Sequence, residues 1–128
     1  MSNTYNYKIL VIHGPNMNLL GLKKLEEGVK ITLDKLNRHI RKTADERSLS
    51  TIILQTNDES RAVNQLHKQR KKINGILLFP GPWQQSAYVL KDTLDLLSIP
   101  YITVSLGENV DVLKGAMNID GKTIYKST

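Results

Sequence analysis

His13 ends an apolar run that begins at Tyr7, and the next eight residues read Gly14-Pro15-Asn16-Met17-Asn18-Leu19-Leu20-Gly21. An imidazole titrates near neutrality, so His13 at that place is a candidate proton donor or acceptor. The structural alternative is a ring satisfied by a loop carbonyl. Asn16 offers donors and an acceptor in one carboxamide, while Gly and Pro set the backbone turns around it. Lys23 and Lys24 follow on the same segment, where their ammonium groups would draw in a carboxylate.

Two later segments bring further groups. Pro80-Gly81-Pro82-Trp83-Gln84-Gln85 carries an indole suited to stacking on a ligand, or else to capping a core or an oligomer contact. Ser105-Leu106-Gly107-Glu108-Asn109 carries a carboxylate that could act as a base or as a wall repelling anions; plain surface solvation is the alternative. His13, His39 and His67 lack the local spacing of a two-ligand motif, so no metal is expected. Gly14-Pro15-Asn16 is no glycine-rich phosphate cradle, and Pro15 removes a donor. No cofactor is expected, and the ligand that fits these groups is a small organic anion.

The elements that must position these groups follow from periodicity. Lys8–Ile12, Thr51–Leu54, Gly75–Phe79 and Tyr101–Val104 are short runs apolar on both faces, as in buried parallel strands. Between them, Leu33, Leu36, Ile40 and Ala44 recur at helical spacing, as do Ala62, Val63 and Leu66, and then Leu90, Leu94 and Leu97. Lys122–Tyr125 reads as a short edge strand. The alternation predicts an α/β fold, a flavodoxin-like open parallel sheet of four to five strands with helices on both faces. Its usual strand order, 2-1-3-4-5, opens a crevice between the first and third strands, where the loops at 14–28, 80–85 and 105–109 converge. Gln55-Thr56-Asn57-Asp58-Glu59 borders the same edge, with Asn57 or Asp58 as a helix cap.

The 128 residues predict one domain spanning 1–128. The absence of cysteine and of an apolar amino-terminal leader suits a cytoplasmic protein, and no stretch is apolar enough to span a membrane. The net charge of +6 is dispersed; its densest cluster, Lys68 to Lys72, falls at a helix end, where cations are favoured without any partner. No aromatic interleaving accompanies it, which argues against nucleic acid.

The octapeptide resembles the signature G-P-N-x-N-L-L-G of the type II 3-dehydroquinate dehydratases. Gln55-Thr56-Asn57-x-Glu59 is similar to that family's Q-S-N-x-E, Pro80-Gly81 to its N-P-G-A turn, and Ala87-x-x-x-Lys91-Asp92 to its S-x-A-x-x-D stretch. The likeness runs from about residue 8 to 108. It implies a lyase of the shikimate pathway, assembled as a trimer or a dodecamer of trimers, with Asp92 at the subunit interface. It also implies a site in which a loop tyrosinate takes the proton alpha to a ketone, an arginine keeps it charged, an Asn holds a water on the enolate, and a His oriented by a Glu protonates the leaving hydroxyl. Asn16 matches the water-holding Asn.

The remaining positions depart from the pattern. The tyrosine position is Gly28, the arginine Lys23, the catalytic His Ser105 and its Glu partner Thr103. The substrate-gripping Asn is Phe79, the following His is Gln85, the distal Arg has only Lys114 nearby, and His13 stands where the family usually has Asn. Ligand contacts are expected from Pro80, Gly81, Trp83, Gln85, Ser105, Leu106 and Glu108, with Asn16, His13 and Lys23 as candidates for chemistry. The expected function is a diverged or catalytically impaired homologue binding a small organic anion. An active dehydratase with a relocated base, drawn from Tyr5, Tyr7 or Tyr88, and a non-catalytic oligomeric protein are the alternatives. The family also continues past its last strand with a helix covering one sheet face, which here is expected to be dispensable or replaced by another subunit.

Overall fold

The computed structural model describes residues 5–22, 31–105 and 122–126. Five strands, β1 (Tyr7–His13), β2 (Leu49–Gln55), β3 (Gly75–Phe79), β4 (Tyr101–Ser105) and β5 (Lys122–Lys126), pair in parallel in the order β2-β1-β3-β4-β5. Helices α1 (Leu33–Glu46), α2 (Glu59–Gln69), α3 (Trp83–Ser86) and α4 (Tyr88–Leu97), with a single 3-10 turn at Met17–Leu19, complete the described elements. The α/β class and the strand order are those expected.

Successive side chains of a strand point to opposite faces, so an apolar run buries itself twice. From β1, Leu10 and Ile12 join Ile76 and Leu78 of β3 under α2 and α4, where Leu66, Leu90 and Leu94 close the larger core. The alternate positions of the strands face the other way: Val11, Phe79 and Val104 pack with Leu36 and Ile40 of α1. Helices therefore lie on both faces. Among the described residues, no helix is long and apolar enough to cross a membrane.

Caps set where the helices begin. Thr32 accepts from the Lys35 N–H and starts α1; Asp58, not Asn57, accepts from the Ser60 N–H and starts α2. Ala87, ahead of α4, has no capping side chain of its own. Glu59 replaces it from the neighbouring helix, its Oε2 accepting the Leu90 N–H at 2.9 Å. Glu59→Ala is expected to cost about 1–2 kcal/mol, since it removes a charged acceptor from an otherwise orphaned helix donor. A lowered urea midpoint with an unchanged slope checks this.

One expected loop is partly helical. Residues 80–85 wind into α3 because the Pro80, Gly81 and Pro82 carbonyls accept in succession from the N–H groups of Trp83, Gln84 and Gln85.

Candidate functional site

The crevice lies at the carboxyl ends of β1 and β3. The Gly14 N–H donates to the Phe79 carbonyl at 2.9 Å, and the Thr56 N–H to the His13 carbonyl at 3.0 Å, so β1 is tied to both neighbours as it ends. Gly14 admits no side chain: a Cβ there would stand 2.9 Å from the carbonyl oxygens of Phe79 and Pro80 and 3.0 Å from the Trp83 ring. Gly81, at φ +52°, turns the facing loop through a conformation that glycine takes without cost.

Asn16 sits in the left-handed region, φ 70° and ψ 2°, where Asn is better tolerated than most residues. Its N–H donates to Asn57 Oδ1 at 2.9 Å. Gln55 Nε2 donates to the same oxygen and to the Gly14 carbonyl, both at 3.2 Å. The end of β2 thus braces the loop after β1, and Asn57 is a loop anchor. The Asn16 carboxamide is exposed and makes no hydrogen bond among the described residues, so it is available to a ligand.

His13 does not stand at the crevice mouth. It is fully buried on the α1 face, with its ring stacked on Phe79 at 4.6 Å between centroids. Nε2 donates to Asn37 Oδ1 at 2.7 Å, leaving Nδ1 buried without a partner. Burial lowers the His13 pKa below its ordinary 6.5, and the Asn37 bond opposes this only in part. The fold therefore holds a neutral ring, and its stabilising contribution is complete above pH 6.5 and is lost as pH falls from there through the lower folded value. The thermal midpoint is expected to drop between pH 7.5 and 5.5, with His13→Asn flattening that slope.

Trp83 is buried against Gly14 and so helps to wall the crevice from behind; it does not present its face to a ligand. Pro80 is buried, Gly81 and Gln85 are exposed at the rim, and Ser105 closes β4. Asp92 lies on the outer side of α4. Lys23, Gly28, Leu106 and Glu108 lie outside the described residues. Of the tyrosines considered as replacement bases, Tyr7 opens β1 at the edge of the sheet opposite the crevice, about 20 Å from His13 along the strand. Tyr5 precedes it and donates to Asp45, while Tyr88 projects from α4 into solvent.

Two side chains form hydrogen bonds that the sequence reading did not assign to them, Asn37 and Glu59. Asn37 follows Leu33 by four residues on the apolar stripe of α1, and a carboxamide on such a stripe is a sign of a buried polar partner. Glu59 gives no comparable signal, because its acceptor role spans two helices.

The family described as dehydroquinase class II matches residues 7–112 of this chain. The 3-dehydroquinate dehydratase of Caldicellulosiruptor saccharolyticus is 36% identical over 100 residues, covering 77% of this chain and 69% of that protein. The enzyme of the same name from Buchnera aphidicola is 34% identical over 101 residues, covering 79% and 67%. Among solved structures, the type II dehydroquinase of Butyrivibrio crossotus superposes with a TM-score of 0.80 at 24% identity over 94% of this chain and 88% of that one. A 3-dehydroquinate dehydratase-like protein from Bifidobacterium longum gives 0.68 at 18% identity, over 93% and 84%. These two structural likenesses speak to the fold.

Proposed function

The chain belongs to the class II dehydroquinase family, and we propose that it is a diverged member whose crevice binds a small organic anion without dehydrating 3-dehydroquinate. The observation that carries this reading is the place of Phe79. At the position where the resemblance puts a substrate-gripping Asn, a phenyl ring is buried and stacked on a neutral imidazole, so no polar group is offered there. Gly28 in the tyrosine position and Ser105 in the histidine position point the same way. Loss of one general acid or base costs about 100-fold to 10,000-fold, and several such losses compound towards the uncatalysed rate. The braced Asn16 loop and the cationic composition favour continued capture of an anion. The protein is proposed to work as a single cytoplasmic domain.

The test is incubation of concentrated protein with 3-dehydroquinate, following 3-dehydroshikimate, alongside thermal melts with 3-dehydroquinate and with citrate as probes. The expected result is no product and a raised melting point with at least one probe, since saturation to 100 times Kd stabilises by about 2.7 kcal/mol whether or not the ligand reacts. Turnover abolished by Asn16→Ala would establish the active alternative instead. No product and no shift with either probe would defeat the anion-binding reading.

A further inference from the structure

His39, Thr43 and Arg47 recur every four residues and so form one stripe along the second half of α1. Between that stripe and the sheet lies a cavity of about 280 Å³, floored by Ile9 and Val11 of β1 and Leu77 of β3. Ile9 stands four residues before His13, about 13 Å along β1, and neither the loop after β1 nor the loop after β3 contributes to the lining. The cavity is separate from the crevice.

Its size restricts the occupant. One turn of helix, about 10 Å across and about 5.4 Å tall, already exceeds this volume, whereas small-molecule sites begin at about 300 Å³. The walls then set the chemistry. Ile9, Val11 and Leu77 offer hydrocarbon alone, over a floor that crosses from β2 to β3 and is therefore about 10 Å long. The polar groups gather on the α1 and β2 side, where Thr43, Thr51, His39 and Arg47 line the cavity and no acid does. The hydroxyls of Thr43 and Thr51 and the guanidinium of Arg47 make no hydrogen bond or ion pair among the described residues. Those donors are open to a ligand.

We propose that this cavity binds a free medium-chain alkanoate, its tail over Ile9, Val11 and Leu77 and its carboxylate against Arg47, with the two threonine hydroxyls as further donors. An apolar floor beside an uncompensated cation is complementary to a hydrocarbon chain that ends in an anion, and a guanidinium pairs well with a carboxylate. A compact polar anion such as citrate would meet the cation but leave the floor unfilled. The site stands independently of whatever the crevice holds.

Calorimetric titration of the full chain with butanoate, hexanoate, octanoate and octanol tests the proposal. Affinity should rise about threefold to fourfold with each methylene added to the acid, the gain expected from burying that group. Arg47→Gln, at an exposed position, should weaken octanoate about fivefold and leave octanol unchanged. Thr43→Phe, which fills the cavity, should abolish binding of both. If Thr43→Phe fails to fold, methyl resonances of the unaltered protein locate the ligand: octanoate should shift those of Ile9, Val11 and Leu77. Excess 3-dehydroquinate should not compete. No octanoate binding, an affinity indifferent to tail length, binding that Arg47→Gln leaves unchanged, or competition with 3-dehydroquinate would overturn the proposal.

Discussion

Replacing Gly14 by alanine is expected to lower stability by about 3 kcal/mol and to remove the anion-induced rise in melting point, because one methyl group must displace two backbone segments. The added carbon would lie 2.9 Å from each of two carbonyl oxygens, distances that real Cβ atoms essentially never show. Neither oxygen can swing aside as a side chain would. Phe79 O is the acceptor that ties β3 to Gly14, and Pro80 O accepts the N–H that starts α3. Relief therefore comes only by parting the ends of β1 and β3, which moves the Asn16 loop away from Pro80 and Gly81. Denaturant titration measures the first effect and a melt with 3-dehydroquinate or citrate the second. A loss under 1 kcal/mol with the ligand response intact would show that the crevice tolerates the methyl group and that the close approach is not what shapes it.

The second large effect is expected at Leu78→Ala, about 2–5 kcal/mol by urea unfolding. Leu78 is fully buried, in register with Ile12 of β1 on one side and Thr103 of β4 on the other. Above it lie residues of α2 and α4, which are themselves held together by the Glu59 acceptor. A void there has rigid walls on every side, and the cost of a large-to-small change grows with how little its surroundings can collapse. Leu22, 79% exposed, is the control: its truncation should change stability by less than about 0.5 kcal/mol.

How far the sequence could be read depends on which physical signal each feature leaves. Gly75–Phe79 was legible to the residue, since the apolar run coincides with the paired backbone and Pro80 ends it. The runs at Lys8–Ile12 and Thr51–Leu54 identify their strands but stop short of them. Pairing continues through His13 and Gln55 and begins at Tyr7 and Leu49, because a ladder hydrogen bond does not depend on an apolar side chain. The orientation of His13 was legible and missed: it shares parity with Ile9 and Val11, and the alternation of a strand sends it beneath α1. The Asn57 anchor was not legible, since a side chain accepting a distant backbone N–H follows no period. The α3 turn was hidden for a similar reason, its three successive carbonyl acceptors lying in a segment dominated by Gly and Pro.

The strand order also bears on how the chain is made. Ile9 of β1 pairs with Gly75 of β3, so β1, an interior strand of the sheet, is synthesised before both of its neighbours and completed late. At about 5–20 residues per second, β1 would wait roughly 3–13 s on the ribosome before β3 follows it out, with only β2 available as a partner meanwhile. During that interval the side of β1 that will form the crevice is an open hydrogen-bonding edge bearing Leu10, Val11 and Ile12, a segment with the composition of a self-associating strand. Conditions that slow translation between residues 55 and 75 should therefore lower the soluble yield of this protein more than slowing after residue 79.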